Sequence, residues 1–394
     1  MNDSKRLGPG SETAGHAGAP AQPEPQWPSS LQLIGSKGLG GAERWFQRFC
    51  DALADRGAPA AIGIRAGSGL DKARAQGLGA QLPCHRLPFR TVWDPLSRAA
   101  IDQLVKRLQP EIVQTYMGRA TRLTRLAQLP RRTGLAGSAR PLHLTRLGGY
   151  YELSAYRHAD AWIGNTRQLC DWMVQQGLPA ERVFHIYNFV DLPPRLQSDG
   201  QDLRRELGLS SDEQLLICMG RFVTFKGHRY LLDALARLPV ELGGRRWRLL
   251  MLGDGPLRED LHQQARALGI MDRILWLGWR PEPAPYLQLA DLVVFPSLDA
   301  EPMGNVILEA WAWRLPLVTA SFRGAREIVR HGEDAWCVPC ADGPALAQGI
   351  QHLLEEPLLA DALVKRGAER VEQEFSRAAI MQQYWELYVD LADG

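Results

Sequence analysis

Two carboxylates, Glu301 and Glu309, are separated by seven residues in the string Glu-Pro-Met-Gly-Asn-Val-Ile-Leu-Glu-Ala. Upstream, Asp291-Leu-Val-Val-Phe-Pro296 is an apolar run stopped by proline, which predicts a short buried strand. Downstream, the residues from Asn305 to Trp313 predict a helix rich in alanine, leucine and tryptophan. Glu301 then falls in the strand-to-helix loop, Gly304 and Asn305 at the helix start, and Glu309 one to two turns into the helix. A helix N-terminus offers free N–H groups to anions such as phosphates. A carboxylate beside it can accept hydrogen bonds from the hydroxyls of a sugar or ribose while the backbone holds the phosphate. In outline this is a site for a nucleotide sugar.

Cations stand where such a ligand would need them. In Leu215-Leu-Ile-Cys-Met-Gly-Arg221 a predicted strand ends in glycine and arginine, and Lys226-Gly227 follows at a helix start. Both side chains would project from the C-terminal end of a parallel strand, where open α/β sheets bind ligands. They could hold a diphosphate and neutralise the charge that develops as a sugar departs. Two glycine turns accompany them. Gly253 and Gly255, in Leu-Gly-Asp-Gly-Pro256, would give backbone freedom near a nucleotide base. Gly40 and Gly41, after the first strand, would let backbone N–H groups approach an anion. The loop Lys37-Gly-Leu-Gly-Gly41 lacks the G-x-G-x-x-G spacing of dinucleotide binding, and no Asp-x-Asp occurs to hold a divalent metal.

These residues need a scaffold of parallel strands and helices, and the patterning supplies one. At 394 residues, 45% hydrophobic and 23% charged, the chain suits two soluble globular domains. No apolar run reaches the ~18 residues of a membrane span, and residues 1–28 lack the apolar core of a signal peptide, so they read as a flexible tail. The expected location is the cytoplasm. From Leu31 strands alternate with amphipathic helices, the α/β pattern of parallel sheets. The expected division is an N-terminal Rossmann-like domain over 29–192, a second over 193–375 opening with a polar linker at Pro193–Gly200, and a last helix over 376–394.

Charge is uneven. Residues 1–190 carry 24 Lys+Arg against 14 Asp+Glu, and the remainder 22 against 30. The basic half includes Arg119, Arg122, Arg125, Arg131, Arg132 and Arg140, a cluster able to attract an anionic membrane surface or a phosphorylated glycan. No nucleic-acid-binding signature accompanies it. The six cysteines are scattered, and Cys337-Val-Pro-Cys340 has no second ligand pair at zinc spacing, so buried reduced thiols are expected and no metal.

The string Phe-Pro-Ser-x3-Glu-Pro-Met-Gly-x4-Glu-Ala resembles the paired-glutamate motif of the retaining glycosyltransferases of family 4 (GT4, the group 1 glycosyl transferases). Gly-Arg-x4-Lys-Gly resembles their diphosphate-binding pair, and Gly40-Gly-Ala-Glu43 their first-loop segment. The likeness covers roughly residues 31–390 and is strongest over 215–330. It implies the GT-B fold: two Rossmann-like domains facing across a cleft, with the C-terminal helix crossing back to the first. It implies a metal-independent retaining transferase using a nucleotide-diphosphate sugar. In that reading Arg221 and Lys226 bind the diphosphate, Glu309 the ribose and Glu301 the sugar. The acceptor would be a glycan or lipid-linked glycan, as in lipopolysaccharide or other surface polysaccharide synthesis, with possible peripheral contact at the inner membrane surface. The family often carries a histidine after a middle strand of the first domain. Here Arg146 falls at about that place, with His143 three residues earlier, and either could approach the cleft. A nucleotide-sugar epimerase of the same fold and a non-catalytic glycan- or partner-binding protein are the alternatives.

Overall fold

In the computed structural model the described residues are 26–38, 40–77, 79, 81–126, 140–193 and 200–393. The expected tail falls almost wholly outside them, as do Arg131, Arg132 and most of the expected linker at 193–200.

Two parallel sheets are built in succession. The first contains β1 (Ser30–Ile34), β2 (Ala60–Arg65), β3 (Cys84–Leu87), β4 (Ile112–Tyr116), β5 (Leu142–Leu147), β6 (Ala161–Gly164) and β7 (Val183–His185), in the order β3-β2-β1-β4-β5-β6-β7. The second contains β8 (Gln214–Met219), β9 (Glu241–Leu242), β10 (Arg245–Leu252), β11 (Ile274–Gly278), β12 (Leu292–Phe295), β13 (Leu317–Ala320) and β14 (Trp336–Val338). Its order is β11-β10-β8-β12-β13-β14, with β9 pairing antiparallel to β10. Every residue of β1, β4, β8, β12 and β13 is buried, the signature of strands covered by helices on both faces.

The helices are α1 (Gly41–Asp55), α2 (Gly69–Ala75), α3 (Pro95–Leu108), α4 (Met117–Leu123) and α5 (Arg167–Gln175) around the first sheet. Around the second lie α6 (Gln201–Glu206), α7 (His228–Leu235), α8 (Arg258–Ala267), α9 (Ala284–Leu289), α10 (Asn305–Ala312), α11 (Arg323–Ile328), α12 (Gly343–Glu355) and α13 (Pro357–Glu374); α14 (Arg377–Asp393) closes the chain. Local chemistry sets their ends. Asp94 caps α3 by accepting from the Leu96 N–H at 3.2 Å, Pro95 fixes its first turn, and Gln109 ends it in the left-handed region.

The helix α14 belongs to the first core. Ile380, Met381, Tyr384, Leu387 and Tyr388 are buried with Trp45, Phe46, Phe49 and Tyr116. The Tyr388 hydroxyl donates to Gln114 at 2.9 Å and accepts from Gln32 at 3.1 Å, which ties the C-terminus to β1 and β4. The chain crosses between the sheets twice at one place, where the Val190 N–H donates to the Phe375 carbonyl at 3.1 Å. Arg377 reaches Asp191 and Asp55 there. The C-terminal helix thus couples both domains.

The cysteines depart from expectation. Cys50, Cys170 and Cys218 are buried, but Cys84 is exposed on the edge strand β3, and Cys337 and Cys340 are half-buried. An edge strand has one side without a neighbour, so its polar Cys-His-Arg sequence meets water.

Candidate active site

Both sheets turn the C-terminal ends of their strands toward a shared cleft. On the second sheet, β8 delivers Arg221 and a short 3₁₀ turn over Thr224–Lys226, while β12 delivers Glu301 through its loop to α10. Lys226 Nζ lies 2.5 Å from Glu301 Oε2, and the two side chains are only 18% and 10% exposed. Ser297 Oγ stands 3.4 Å from the same carboxylate oxygen, and Lys226 also faces the Phe295 ring at 5.1 Å. Arg221 is exposed and forms no ion pair with any described residue. The strand end therefore presents one cation held by a carboxylate and one free to meet a ligand.

Gly304 starts α10 at φ 79°, and a Cβ there would sit 2.6 Å from Phe322 and 2.7 Å from Phe295. Only glycine fits at this helix start. Glu309, one turn into α10, pairs with Arg48 of α1 at 3.3 Å. Asn305 accepts from Asn188 Nδ2 at 2.5 Å. Both partners come from the first domain, so α10 is gripped across the cleft.

Gly253 and Gly255 do something local. Gly253 has φ 151°, and its Cβ would fall 1.9 Å from the Gly220 carbonyl oxygen; a Cβ on Gly255 would lie 2.6 Å from that of Phe222. Phe222 N–H donates to Asp254 at 3.0 Å, and Leu257 N–H to Phe222 at 3.2 Å. This close backbone approach fixes the loop that carries Arg221.

On the first domain, Gly40 precedes α1, and its N–H is already taken by Glu43 Oε2 at 2.8 Å, while Gly41 lines the cleft. Of the two residues on β5, Arg146 faces the cleft and His143 does not. Arg146 is 5% exposed, lies 4.3 Å above the Trp45 ring, and donates to Tyr384 at 3.0 Å and to Asn188. Asn188 links it onward to Asn305. His143 points to the opposite face, 3.0 Å from Thr115 Oγ1, and burial beside His158 pushes its pKa down to about 3. Strand alternation separates the two, and His143 is withdrawn from the acceptor side.

Of the sequence-predicted residues, Gly41, Arg146, Glu301, Gly304 and Asn305 line a cavity of about 160 Å³ together with Trp45 and Met117, whereas Arg221, Lys226, Glu309, Gly40, Gly253, Gly255 and His143 lie outside its lining. That is below the ~300 Å³ typical of ligand pockets, in keeping with the polar bridges that draw its walls together. A larger hollow of about 750 Å³ lies at the β3 edge between α2 and α3 and contains none of these residues. Sequence reasoning missed Arg48, Asn188 and Tyr384. Among the described residues no three His, Cys, Asp or Glu side chains gather as a metal site.

Two family models match the halves of the chain: Glycosyltransferase Family 4 over residues 39–193 and Glycosyl transferases group 1 over 213–356. The chain is 32% identical over 351 residues to the lipopolysaccharide core biosynthesis glycosyltransferase LpsE of Rhizobium meliloti, covering 88% of this chain and 95% of that protein. It is 28% identical to LpsD of the same organism, covering 89% and 95%. Among solved structures it resembles Anabaena Alr3699/HepE in complex with UDP and glucose, with a TM-score of 0.78, 23% identity, and coverage of 92% and 100%. Two Rossmann-like domains across a cleft, with the last helix returning to the first, define the GT-B architecture. The chain belongs to the group 1, family 4 glycosyltransferases.

Proposed function

We propose that this transferase moves a sugar from a nucleotide-diphosphate sugar, with UDP as the nucleotide, to a glycan or lipid-linked glycan of a lipopolysaccharide core or related surface polysaccharide. It does so with retention of anomeric configuration and without a metal ion. The reaction would take place in the cytoplasm, at the membrane face when the acceptor is lipid-linked. The domains divide at 192/193 and 375/376, beside the double crossing.

The observation that carries the reading is the close Lys226–Glu301 pair, with an unpaired Arg221 on the same loop as Lys226, at the C-terminal ends of the neighbouring parallel strands β8 and β12. Arg221 and Lys226 bind the diphosphate and neutralise the charge that grows on its β-phosphate as the anomeric C–O bond lengthens. The first amides of α10, at Asn305 and after Gly304, add positive potential at the same place. Glu301 accepts from sugar hydroxyls, and its ion pair with Lys226 orients it. Glu309 takes the ribose hydroxyls once Arg48 yields or shares the carboxylate. Gly253 and Gly255 hold the Arg221 loop, and Gly40 and Gly41 bring the first domain close to the phosphates. Arg146 faces the acceptor side.

The acceptor hydroxyl oxygen bonds to the anomeric carbon on the face the nucleotide leaves, and its proton passes to the departing phosphate oxygen. Among the residues that line the cavity Glu301 is the sole carboxylate, and it is committed to Lys226. This supports a route without a covalent glycosyl-enzyme. The names of the relatives support the acceptor class, and the UDP–glucose complex of the structural neighbour supports the donor class.

The test is proton NMR of the product formed from UDP-α-glucose and a deacylated lipopolysaccharide core in excess EDTA. An α-linked product formed at an undiminished rate is expected. A β-linked product, or loss of turnover that returns with magnesium, contradicts the reading.

A further inference from the structure

The first sheet has its own ligand position, separate from the residues just assigned. Strand order reverses at β1, which has β2 on one side and β4 on the other, so a crevice opens above the C-terminal ends of these strands. Three polar residues lie at or just after these strand ends. Ser36 follows β1, Arg65 ends β2, and Arg119 stands in the first turn of α4 directly after β4. The register places Ile34 beside Ile64 and Tyr116, which brings the following residues together at one rim.

Each of the three carries a buried polar atom without a partner among the described residues. Arg119 Nη1 donates to the Gly35 carbonyl at 3.1 Å and holds the guanidinium over the end of β1. Its Nε, Arg65 Nη1 and Ser36 Oγ are sealed from solvent with no hydrogen-bond partner among the described residues. Neither arginine forms an ion pair with a described carboxylate, whereas Arg140, in the same basic half, is fully taken up by Asp160. The Arg119 guanidinium is easier to deprotonate than usual, from burial and then from the repulsion of Arg65. Further out, Arg125 feels the like charges of Arg98 and Arg122, and Arg122 lies 4.9 Å over the exposed ring of Trp93. Unpaired like charges at a crevice cost stability that a bound anion would return.

We infer that Ser36, Arg65 and Arg119 form an anion site in the first domain, taking a phosphate-type group through paired guanidinium donors and a hydroxyl. Guanidinium forks match tetrahedral oxyanions in geometry and charge. Gly41, Tyr116 and Met117 line the donor cavity, and α4 carries Arg119 two residues beyond Met117, so the anion lies next to the transfer site on the first domain's side. Resting on the transferase reading, the anion is a phosphate carried by the acceptor. The arginines beyond the crevice would extend the same field toward a charged glycan.

Titration of inorganic pyrophosphate into the full chain, followed by calorimetry at low salt, tests this. Arg65→Gln should weaken one binding component at least tenfold, whereas Arg221→Ala should leave that component intact and weaken a second. The two variants thus report the acceptor and donor readings separately. Arg65→Gln should also melt at the same or a higher temperature without anion, because a repulsion is removed. Ser36→Ala, a milder change, should weaken the same component should the arginine variant fold poorly. A vesicle arm with phosphatidylglycerol distinguishes the source: loss of both pyrophosphate and vesicle binding in Arg65→Gln assigns a headgroup phosphate, and loss of pyrophosphate binding with vesicle binding unchanged assigns a glycan phosphate. Unchanged responses to both anions in Arg65→Gln and Ser36→Ala would overturn the site.

Discussion

Arg48 of α1 and Glu309 of α10 form an ion pair at 3.3 Å that spans the cleft between the two domains. The carboxylate assigned to the donor ribose is therefore held by the first domain in this structure. The side chains are 29% and 14% exposed, so the contact is partly screened and worth about 1 kcal/mol. Arg48→Ala should strengthen donor binding a few-fold by releasing Glu309, with folding unaffected. Glu309→Gln should weaken donor binding about tenfold, near 1.4 kcal/mol. Fluorescence or calorimetric titration with UDP-glucose checks both, and weaker binding in Arg48→Ala would show instead that Arg48 assists the donor.

Lys226 and Glu301 are more deeply set. Removing Lys226 leaves a 7%-exposed carboxylate without its cation, and truncating one partner of such a pair costs about 3–5 kcal/mol. Lys226→Ala should lose stability of that order and at least a hundredfold in kcat. Glu301→Gln, which leaves a hydrogen-bond acceptor, should lose activity more than stability. In the double variant Lys226→Met/Glu301→Gln the melting temperature should recover part of the loss without recovery of turnover. Urea unfolding and initial rates measured on all three decide it; recovery of turnover would remove both residues from the chemistry.

Arg146 and His143 lie three residues apart on one strand and should behave oppositely. Arg146→Gln breaks the chain through Asn188 to Asn305 and should lower kcat while leaving donor affinity nearly unchanged. His143→Gln should retain turnover. His143 instead governs acid stability. Its pKa falls from an ordinary 6.5 to about 3 on folding, and that of buried His228 likewise to about 3. The unfolded chain then binds more protons between those values, so stability is complete above pH 6.5 and is lost as the pH falls toward 3. Each histidine should contribute a slope of about 1.4 kcal/mol per pH unit in that window. Urea titrations from pH 7 to 4.5 should show a shallower loss in His143→Gln; an identical slope would exclude the residue as a source.

Gly304 offers a geometric test. At φ 79° with two aromatic rings in the way, Gly304→Ala combines backbone strain with a clash and should cost roughly 2–4 kcal/mol. Donor binding should fail even where the variant folds, because the first amides of α10 would move. Circular dichroism with a UDP-glucose titration measures both, and a fully stable, fully binding variant would contradict the assigned geometry.

The strands that carry the cleft were legible because their residues are buried on both faces and read as uninterrupted apolar runs. β8 and β12 fall where the sequence predicts them. The edge strand β3 was not, since Cys84-His-Arg-Leu has one buried residue and no alternation. Helix α4 escaped because it follows β4 with no loop, through Met117 at φ 64°. Arg48 and Asn188 escaped for a different reason. Each reads as a solvent-facing polar residue of its own domain; Arg48 meets Glu309, and Asn188 passes the contact from Arg146 on to Asn305, only through the approach of α10. The orientation of Arg146 against His143 needed the strand's facing as well as its alternation.

Thermal unfolding of the purified chain against UDP-, GDP-, ADP- and CMP-linked sugars, repeated in Lys226→Ala and Glu309→Gln, tests the central claim most directly. A donor at a hundred times its dissociation constant adds about 2.7 kcal/mol to the folded state. The expected result is a rise in melting temperature with a UDP-sugar in the wild type, reduced or lost in both variants relative to their own unliganded controls. No rise with any nucleotide sugar, or a rise of undiminished size in both variants, would contradict a donor site built on Arg221, Lys226, Glu301 and Glu309.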